Sequence, residues 1–318
     1  MTAGSDQERN QDRKIVLITR RTRLQELVAR YNTVEQARFQ AEHLGMDFED
    51  FLLEDRVYRA AIASVEQSLR KHGRVQPLDR GFLPNFLFPP DCTVVVLGQD
   101  GLVANTLKYL GEQSVVAINP DPQRFDGVLL PFKPEELPTL LPEIWRGRRA
   151  IREITMARAR LTDGQELLAV NDFFIGARSH ISARYELQLG DRAERQSSSG
   201  VIVSTGLGST GWLRSVLTGA TAMAGGKPSK RAQALRKDGF AWDARNLVFS
   251  VREPFPSRWS QAELVFGDID AATPLRIRSL MPDGGVIFSD GIEADGLEFR
   301  SGMEAVIDLA DKRGRLLY

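Results

Sequence analysis

The chain has almost no cysteine: Cys92 alone among 318 residues. One thiol cannot close an internal disulfide, so a reducing, cytoplasmic setting is expected. Cys92 lies beside an apolar run and reads as a small core residue rather than a nucleophile. No apolar run approaches the roughly 18 residues that a membrane helix needs, so no membrane partner is expected. An excess of one charge is also missing, because 42 basic residues balance 42 acidic ones. Nucleic acid asks for a basic excess or stripe, and is not expected as a partner. The three histidines, His43, His72 and His180, are scattered without metal-ligand spacing and are assigned to surface or structure. There is no G-x-x-x-x-G-K-S/T loop and no H-E-x-x-H pair. The polar start, residues 1–13, lacks the apolar stretch of a secretory signal and reads as a disordered lead.

Hydrophobic residues make up 42% of the chain, enough for packed cores, and the length allows about two domains. Residues 14–20, 93–97 and 114–119 are apolar strands of the buried type. Between the first two, apolar residues recur at helical spacing through residues 22–72, with Gly73 as a helix stop. An acidic, aromatic insert at 45–55 interrupts that stretch. This alternation predicts a doubly wound α/β domain over residues 14–148, with helices on both faces of a parallel sheet. Pro134, Pro138 and the basic cluster Arg146, Arg148 and Arg149 mark a boundary; the cluster reads as solvated surface. Beyond it, short strands with Gly/Asp turns predict a β-sandwich over residues 149–318.

Two glycine-rich segments stand out. In the first, the strand at 93–97 runs into Gly98-Gln99-Asp100-Gly101 and then a helix-like stretch. Ligands of parallel sheets bind beyond the carboxyl ends of strands, so Asp100 stands where chemistry is done. Gly98 and Gly101, around Gln99, let backbone amides approach a phosphate. An ordinary turn with Asp100 as N-cap accounts for the same residues equally well. The second segment, residues 206–211, fits G-x-G-x-x-G, but it sits mid-chain and lacks an acidic residue about 20 positions on. It reads instead as a loop closing over a nucleotide by backbone contact. Trp212 follows it at a strand-to-helix turn, either stacking on a flat ring or joining the core. Asn171-Asp172, after a short strand, suits an adenine edge or ribose hydroxyl, or an Asx turn.

Taken in order, these motifs resemble the NAD kinase family, within the diacylglycerol- and lipid-kinase-like superfamily. The counterparts of its G-G-D-G, Asn-Glu, Gly/Thr-rich loop and D-G turn are residues 98–101, Asn171-Asp172, residues 204–212 and Asp290-Gly291. Ile118-Asn119-Pro120-Asp121-Pro122-Gln123-Arg124, the run from Asn171 to Gly176 and Ser198-Ser199-Gly200 are similar to the mitochondrial-type branch. The resemblance implies an α/β domain followed by a β-sandwich. It also implies phosphorylation of the adenosine 2′-hydroxyl of NAD with ATP and a divalent metal, Mg²⁺ or Mn²⁺, by a homodimer. Asp100 inherits the role of general base, with Gly98, Gln99 and Gly101 as the phosphate loop. Asn171, Asp172, Ser209, Thr210, Gly211 and Trp212 inherit the binding of NAD.

Gln99 replaces the second glycine of G-G-D-G, and Leu102 stands where the family has threonine. Both changes fall where donor phosphates would lie. They imply an alternative: an NAD(P)-binding regulatory homologue with reduced or no transfer. A kinase for a lipid or sugar hydroxyl is a third reading on the shared superfamily fold.

Overall fold

The computed structural model describes residues 13–226 and 229–318. The lead expected at residues 1–13 lies outside these, apart from Arg13. The backbone carbonyl of Arg13 accepts from the Arg74 amide at 2.8 Å. The chain divides into two units: Met1–Arg152 with Arg315–Tyr318, and Glu153–Gly314. The last four residues thus return to the first unit, whereas the sequence reading runs the second domain through Tyr318.

The first unit is built on β1 (Lys14–Thr19), with α1 (Arg23–Tyr31), α2 (Val34–His43) and α3 (Phe48–Arg70) after it. Then come β2 (Arg74–Asp79), β3 (Thr93–Leu97), α4 (Asp100–Tyr109), β4 (Val115–Ile118) and α5 (Leu137–Trp145). The strands pair in parallel in the order β2-β1-β3-β4, and Leu316 pairs with Val115 at the start of β4. One face of the sheet, Ile15, Leu17, Val95, Leu97, Val116 and Ile118, packs on α3 and α5. The alternate residues Val16, Ile18, Val94 and Val96 are buried too, so both faces are covered, as continuous apolar strands require. Each large side chain so buried contributes about 1.5–3 kcal/mol.

The stretch read as one helical run at 22–72 is three helices. Thr22, Thr33 and Asp47 each accept a backbone N–H at a helix start, and the apparent insert at 45–55 holds the first turns of α3. Gly73 is not a helix stop, because α3 ends at Arg70. A Cβ on Gly73 would lie 2.5 Å from the Arg13 carbonyl, so this glycine lets β2 start against β1.

The second unit is a sandwich of antiparallel strands: β5 (Ile151–Leu161), β6 (Glu166–Ala169), β7 (Asp172–Ala177), β8 (Ala183–Leu189), β9 (Arg192–Ser198) and β10 (Val201–Ser204). These are followed by α6 (Trp212–Met223), α7 (Lys230–Asp238), β11 (Leu247–Val251), β12 (Phe266–Ile269), β13 (Leu275–Ser279), β14 (Gly285–Ser289), β15 (Ile292–Glu298) and β16 (Glu304–Leu317). One sheet runs β12-β11-β10-β7-β14-β15; facing it are β16, β13, β8 and β9, with β5 attached to β16 and β6 to β5. Phe173, Ile175, Val203 and Phe249 from the first meet Tyr185, Leu187, Ile277 and Ile307 from the second in one core. Among the helices, α6 and α7 gather Leu213, Leu217 and Leu235 over Val248 of β11.

Candidate functional site

In the first unit, β3 delivers the chain into Gly98, which is buried, and α4 starts two residues later. Gln99 is the N-cap, with extended backbone and no side-chain capping bond, so Asp100 is the first helical residue rather than the cap. The Asp100 carboxylate instead accepts the Leu129 N–H at 2.7 Å, which fixes one oxygen and aims the group at the carboxyl end of β3. A Cβ on Gly98 would lie 2.8 Å from Leu102 Cδ2. Leu102, almost fully buried, has folded inward over that glycine. A threonine there would give up this packing, so Leu102→Thr is expected to lower stability by about 2–3 kcal/mol in a denaturant melt. Gly101 is exposed, with open space around it.

Around Gln99 opens a cavity of about 440 Å³ that the sequence reading missed. Its wall includes Arg20 directly after β1, Arg80 directly after β2 and Arg124 in the turn after β4. All are at carboxyl ends of parallel strands, and the strand order reverses between β1 and β3. That reversal is where open α/β sheets bind ligands. The available signal was the run Arg20-Arg21-Thr22-Arg23 directly after an apolar strand. Asp50 accepts from Arg124 at 2.5 and 3.0 Å and from Arg23 at 2.6 Å. These hydrogen bonds, Arg124 foremost, hold its carboxyl below the usual carboxylate range. Glu54 accepts from Arg20 at 2.8 Å and from Arg23. Burial pushes the Glu54 carboxyl up, yet the two arginines prevail and the net shift is downward. Tyr58 ties this end together, donating to the Leu97 carbonyl at 2.7 Å and accepting from the Arg20 amide at 3.0 Å.

In the second unit, Asn171 directly precedes β7 and Asp172 is its first residue, opposite Ser204 of β10. Asp290 and Gly291 form the two-residue turn between β14 and β15, with φ of 56° and 72°. Positive φ at both positions is the hairpin geometry that an Asp-Gly pair favours. The Asp290 carboxylate accepts the N–H groups of Val170, Asn171 and Asp172 at 2.7–3.2 Å. Its own amide donates to the Asp172 carbonyl at 3.0 Å. The Asp172 carboxyl is buried and has no hydrogen bond among the described residues. It is pushed up to about 7, first by burial and second by the Asp290 carboxylate beside it.

The Gly-rich loop owes its glycines to close backbone contact. A Cβ on Gly208 would lie 2.1 Å from the Asn171 carbonyl, and one on Gly206 would lie 1.9 Å from that of Ala241. The Thr205 hydroxyl donates to the Val170 carbonyl at 2.6 Å, locking the loop to the Asn171 strand end. Ser209, expected to face a dinucleotide, is buried. Its hydroxyl donates to the Gly206 carbonyl at 2.6 Å and accepts the Phe240 amide at 3.1 Å, so it is spent inside the loop. Thr210 and Gly211 are exposed. Trp212, half-buried at the start of α6, stacks on Phe174 with ring centroids 5.8 Å apart and 13° between planes. The Arg252 guanidinium lies 5.5 Å from its centroid. The tryptophan is thus neither a core residue nor a free ring.

No family model matches the sequence, and no curated protein matches it. Solved structures do share its fold. An NAD kinase from Archaeoglobus fulgidus, determined in complex with ATP, aligns over 96% of this chain and 93% of that one, with a TM-score of 0.53 and 15% identity. Yeast NADH kinase, complexed with NADH, aligns over 96% of this chain and 83% of that one, with a TM-score of 0.55 and 16% identity. The likeness is one of fold: an α/β unit on a parallel sheet and an antiparallel β-rich unit.

Proposed function

We propose that this chain is an NAD kinase of the mitochondrial-type branch, transferring the terminal phosphoryl group of ATP to the 2′-hydroxyl of the NAD adenosine. The observation that carries the reading is Asp100, a carboxylate anchored through one oxygen by the Leu129 amide at the carboxyl end of a central parallel strand. Its second oxygen accepts the proton of the hydroxyl as that oxygen attacks phosphorus, and the bond to the ADP leaving group breaks. The N-terminus of α4 points its partial positive charge to the same place.

A divalent cation that travels with nucleotide phosphates needs only one or two protein carboxylates. The described residues hold no cluster of three metal-ligating side chains, so donor phosphates and water would supply most of its ligands. When bound, Mg²⁺ or Mn²⁺ offsets the charge that builds on the phosphates. Asn171, whose side-chain amide makes no hydrogen bond among the described residues, and Asp172 take ribose hydroxyls; Thr210, Gly211 and Trp212 take the adenylate half. A homodimer in a reducing compartment completes the reading.

Leu102 favours a second reading. A buried leucine in place of a hydroxyl removes a donor from the phosphate side, as in a homologue that binds NAD(P) without transfer. A coupled assay for NADP from NAD and ATP with Mg²⁺ or Mn²⁺, run beside calorimetric titration of NAD and NADP, separates the two. Turnover supports the kinase, binding without turnover the homologue, and neither sinks both.

Trp212→Ala is expected to weaken NAD binding by about 1–3 kcal/mol, the range for stacking on an aromatic platform. The half-exposed ring predicts a smaller fall in melting temperature than a core tryptophan would give. Unchanged affinity with a large drop in the melt would assign Trp212 to packing alone.

A further inference from the structure

We infer that the amino-terminal end of the first unit's parallel sheet is a docking face for an anionic lipid surface, with Leu87 as its apolar contact. Four parallel strands begin at this end: β1 at Lys14, β2 at Arg74, β3 at Thr93 and β4 at Val115. Two helices finish there. α3 runs out into Lys71 and His72, and α5 into Arg146, Arg148 and Arg149. Trp145 ties the helix ends to the strands. Its indole N–H donates to the Thr93 hydroxyl at 3.0 Å, its ring lies 5.6 Å from that of His72, and the Arg13 guanidinium sits 3.9 Å from its centroid. Lys14 stands opposite Arg74 in the strand register. The basic cluster at residues 146–149 is therefore one corner of a larger basic face.

Lys14, Lys71, Arg146 and Arg148 are exposed and make no ion pair among the described residues. Carboxylates near this end are mostly spoken for: Glu66 pairs with Arg70, Glu143 with Arg149 and Glu112 with Arg315, while Asp91 is exposed. Helix C-termini favour cations, but Lys14 and Arg74 belong to strands, so the helix dipoles do not account for the face. His72 is pushed down by burial and then by the charges of Arg13 and Lys71, which marks a positive field. Leu87 is 92% exposed, in the loop that brings the chain back to β3. The Gln113 side chain, just before β4, and the Cys92 amide both donate to the Pro89 carbonyl, at 3.0 and 3.2 Å, and fold that loop onto the same end. A nucleic-acid backbone offers little to an aliphatic tip, whereas a bilayer sets headgroup phosphates beside an apolar layer. Cations with an apolar contact suit a protein that lies on a membrane, which requires no spanning helix. The chain as a whole is electrically neutral, so the attraction belongs to one face and orients the molecule. β1 spans six residues, about 20 Å, so the carboxyl ends of the strands, with Asp100, lie on the far side from the bilayer.

The test is co-sedimentation of the full chain with vesicles of mixed phosphatidylcholine and phosphatidylserine, beside vesicles of phosphatidylcholine alone. Wild type is expected to sediment with the mixed vesicles only, and less as salt rises. Each basic residue near such a surface is worth about fivefold in affinity, so the triple variant Lys71→Ala, Arg146→Ala, Arg148→Ala is expected to lose on the order of a hundredfold. Leu87→Ser is expected to lose several-fold. A triple variant at exposed cations of the second unit, Lys230→Ala, Lys237→Ala and Arg258→Ala, is expected to bind as wild type does. Equal binding to neutral vesicles, no binding to either kind, or equal losses in the two triple variants overturns the proposal. Binding of a DNA duplex that is weakened by the first triple variant, with Leu87→Ser leaving vesicle binding unchanged, also overturns it and assigns the face to nucleic acid. No nucleotide is present in the assay, so this inference and the proposed kinase activity stand or fall separately.

Discussion

Under the proposed function, Asp100→Asn is expected to abolish NADP formation, lowering kcat by about 10²–10⁴-fold, the usual range for loss of a general base. The side-chain amide keeps the shape of the carboxylate, and its oxygen still accepts the Leu129 N–H, which is held at 2.7 Å in the wild type. The loop around Leu129 therefore stays in place, and the thermal melt and NAD affinity should remain within a few-fold of wild type. What the variant loses is the oxygen lone pair that takes a proton. Turnover at the wild-type rate would remove Asp100 from the mechanism. Lost turnover with a collapsed melt would instead make its contact with Leu129 the whole of its role, and Leu129 backbone order, read by hydrogen exchange, distinguishes these outcomes.

The strands legible in the sequence are those buried on both faces. Val94, Val95 and Val96 of β3, or Val201, Ile202 and Val203 of β10, leave an unbroken apolar signal. The strands that escape reading are mostly edges: β2, β9, β12 and β15 each end a sheet path. An edge strand has one neighbour and a wet side, so Arg192–Ser198 can be almost wholly polar and still pair along its length with β8. β7 is a different failure. It is central and fully buried, but Asn171 before it and Asp172 at its start carry turn chemistry, which masks the apolar run that follows. The candidate residues divide the same way. Asp100, Asn171 and Asp172 belong to local motifs, so each is picked out one at a time. The arginine cavity is not, because Arg20, Arg80 and Arg124 are far apart in sequence and only parallel pairing gathers their strand ends. Ser209 is the converse case: its neighbours in sequence mark a loop, but only the fold reveals that its hydroxyl turns inward.

Asp172→Asn is expected to stabilise the protein at pH 8 by about 4 kcal/mol while weakening NAD binding. The wild-type carboxyl is pushed up to about 7 by burial and by Asp290, against about 3.9 in an unfolded chain. A shift of about three units at 1.36 kcal/mol each gives the magnitude. The sign follows from proton uptake. Between about pH 4 and 7 the folded state holds a proton that the unfolded state has released, so stability present below pH 4 is lost as pH rises through 7. Asparagine resembles the neutral acid at every pH, so variant and wild type should unfold alike in denaturant near pH 4 and diverge steadily up to about pH 7. NAD affinity runs the other way. A carboxylate that accepts ribose hydroxyls must be ionised, so wild-type affinity should rise with pH up to about 7 and then level, while the variant's stays low and flat. A wild-type stability profile parallel to the variant's would mean that Asp172 is ionised throughout. A gain in stability with undiminished affinity would leave the buried carboxylate without a part in binding.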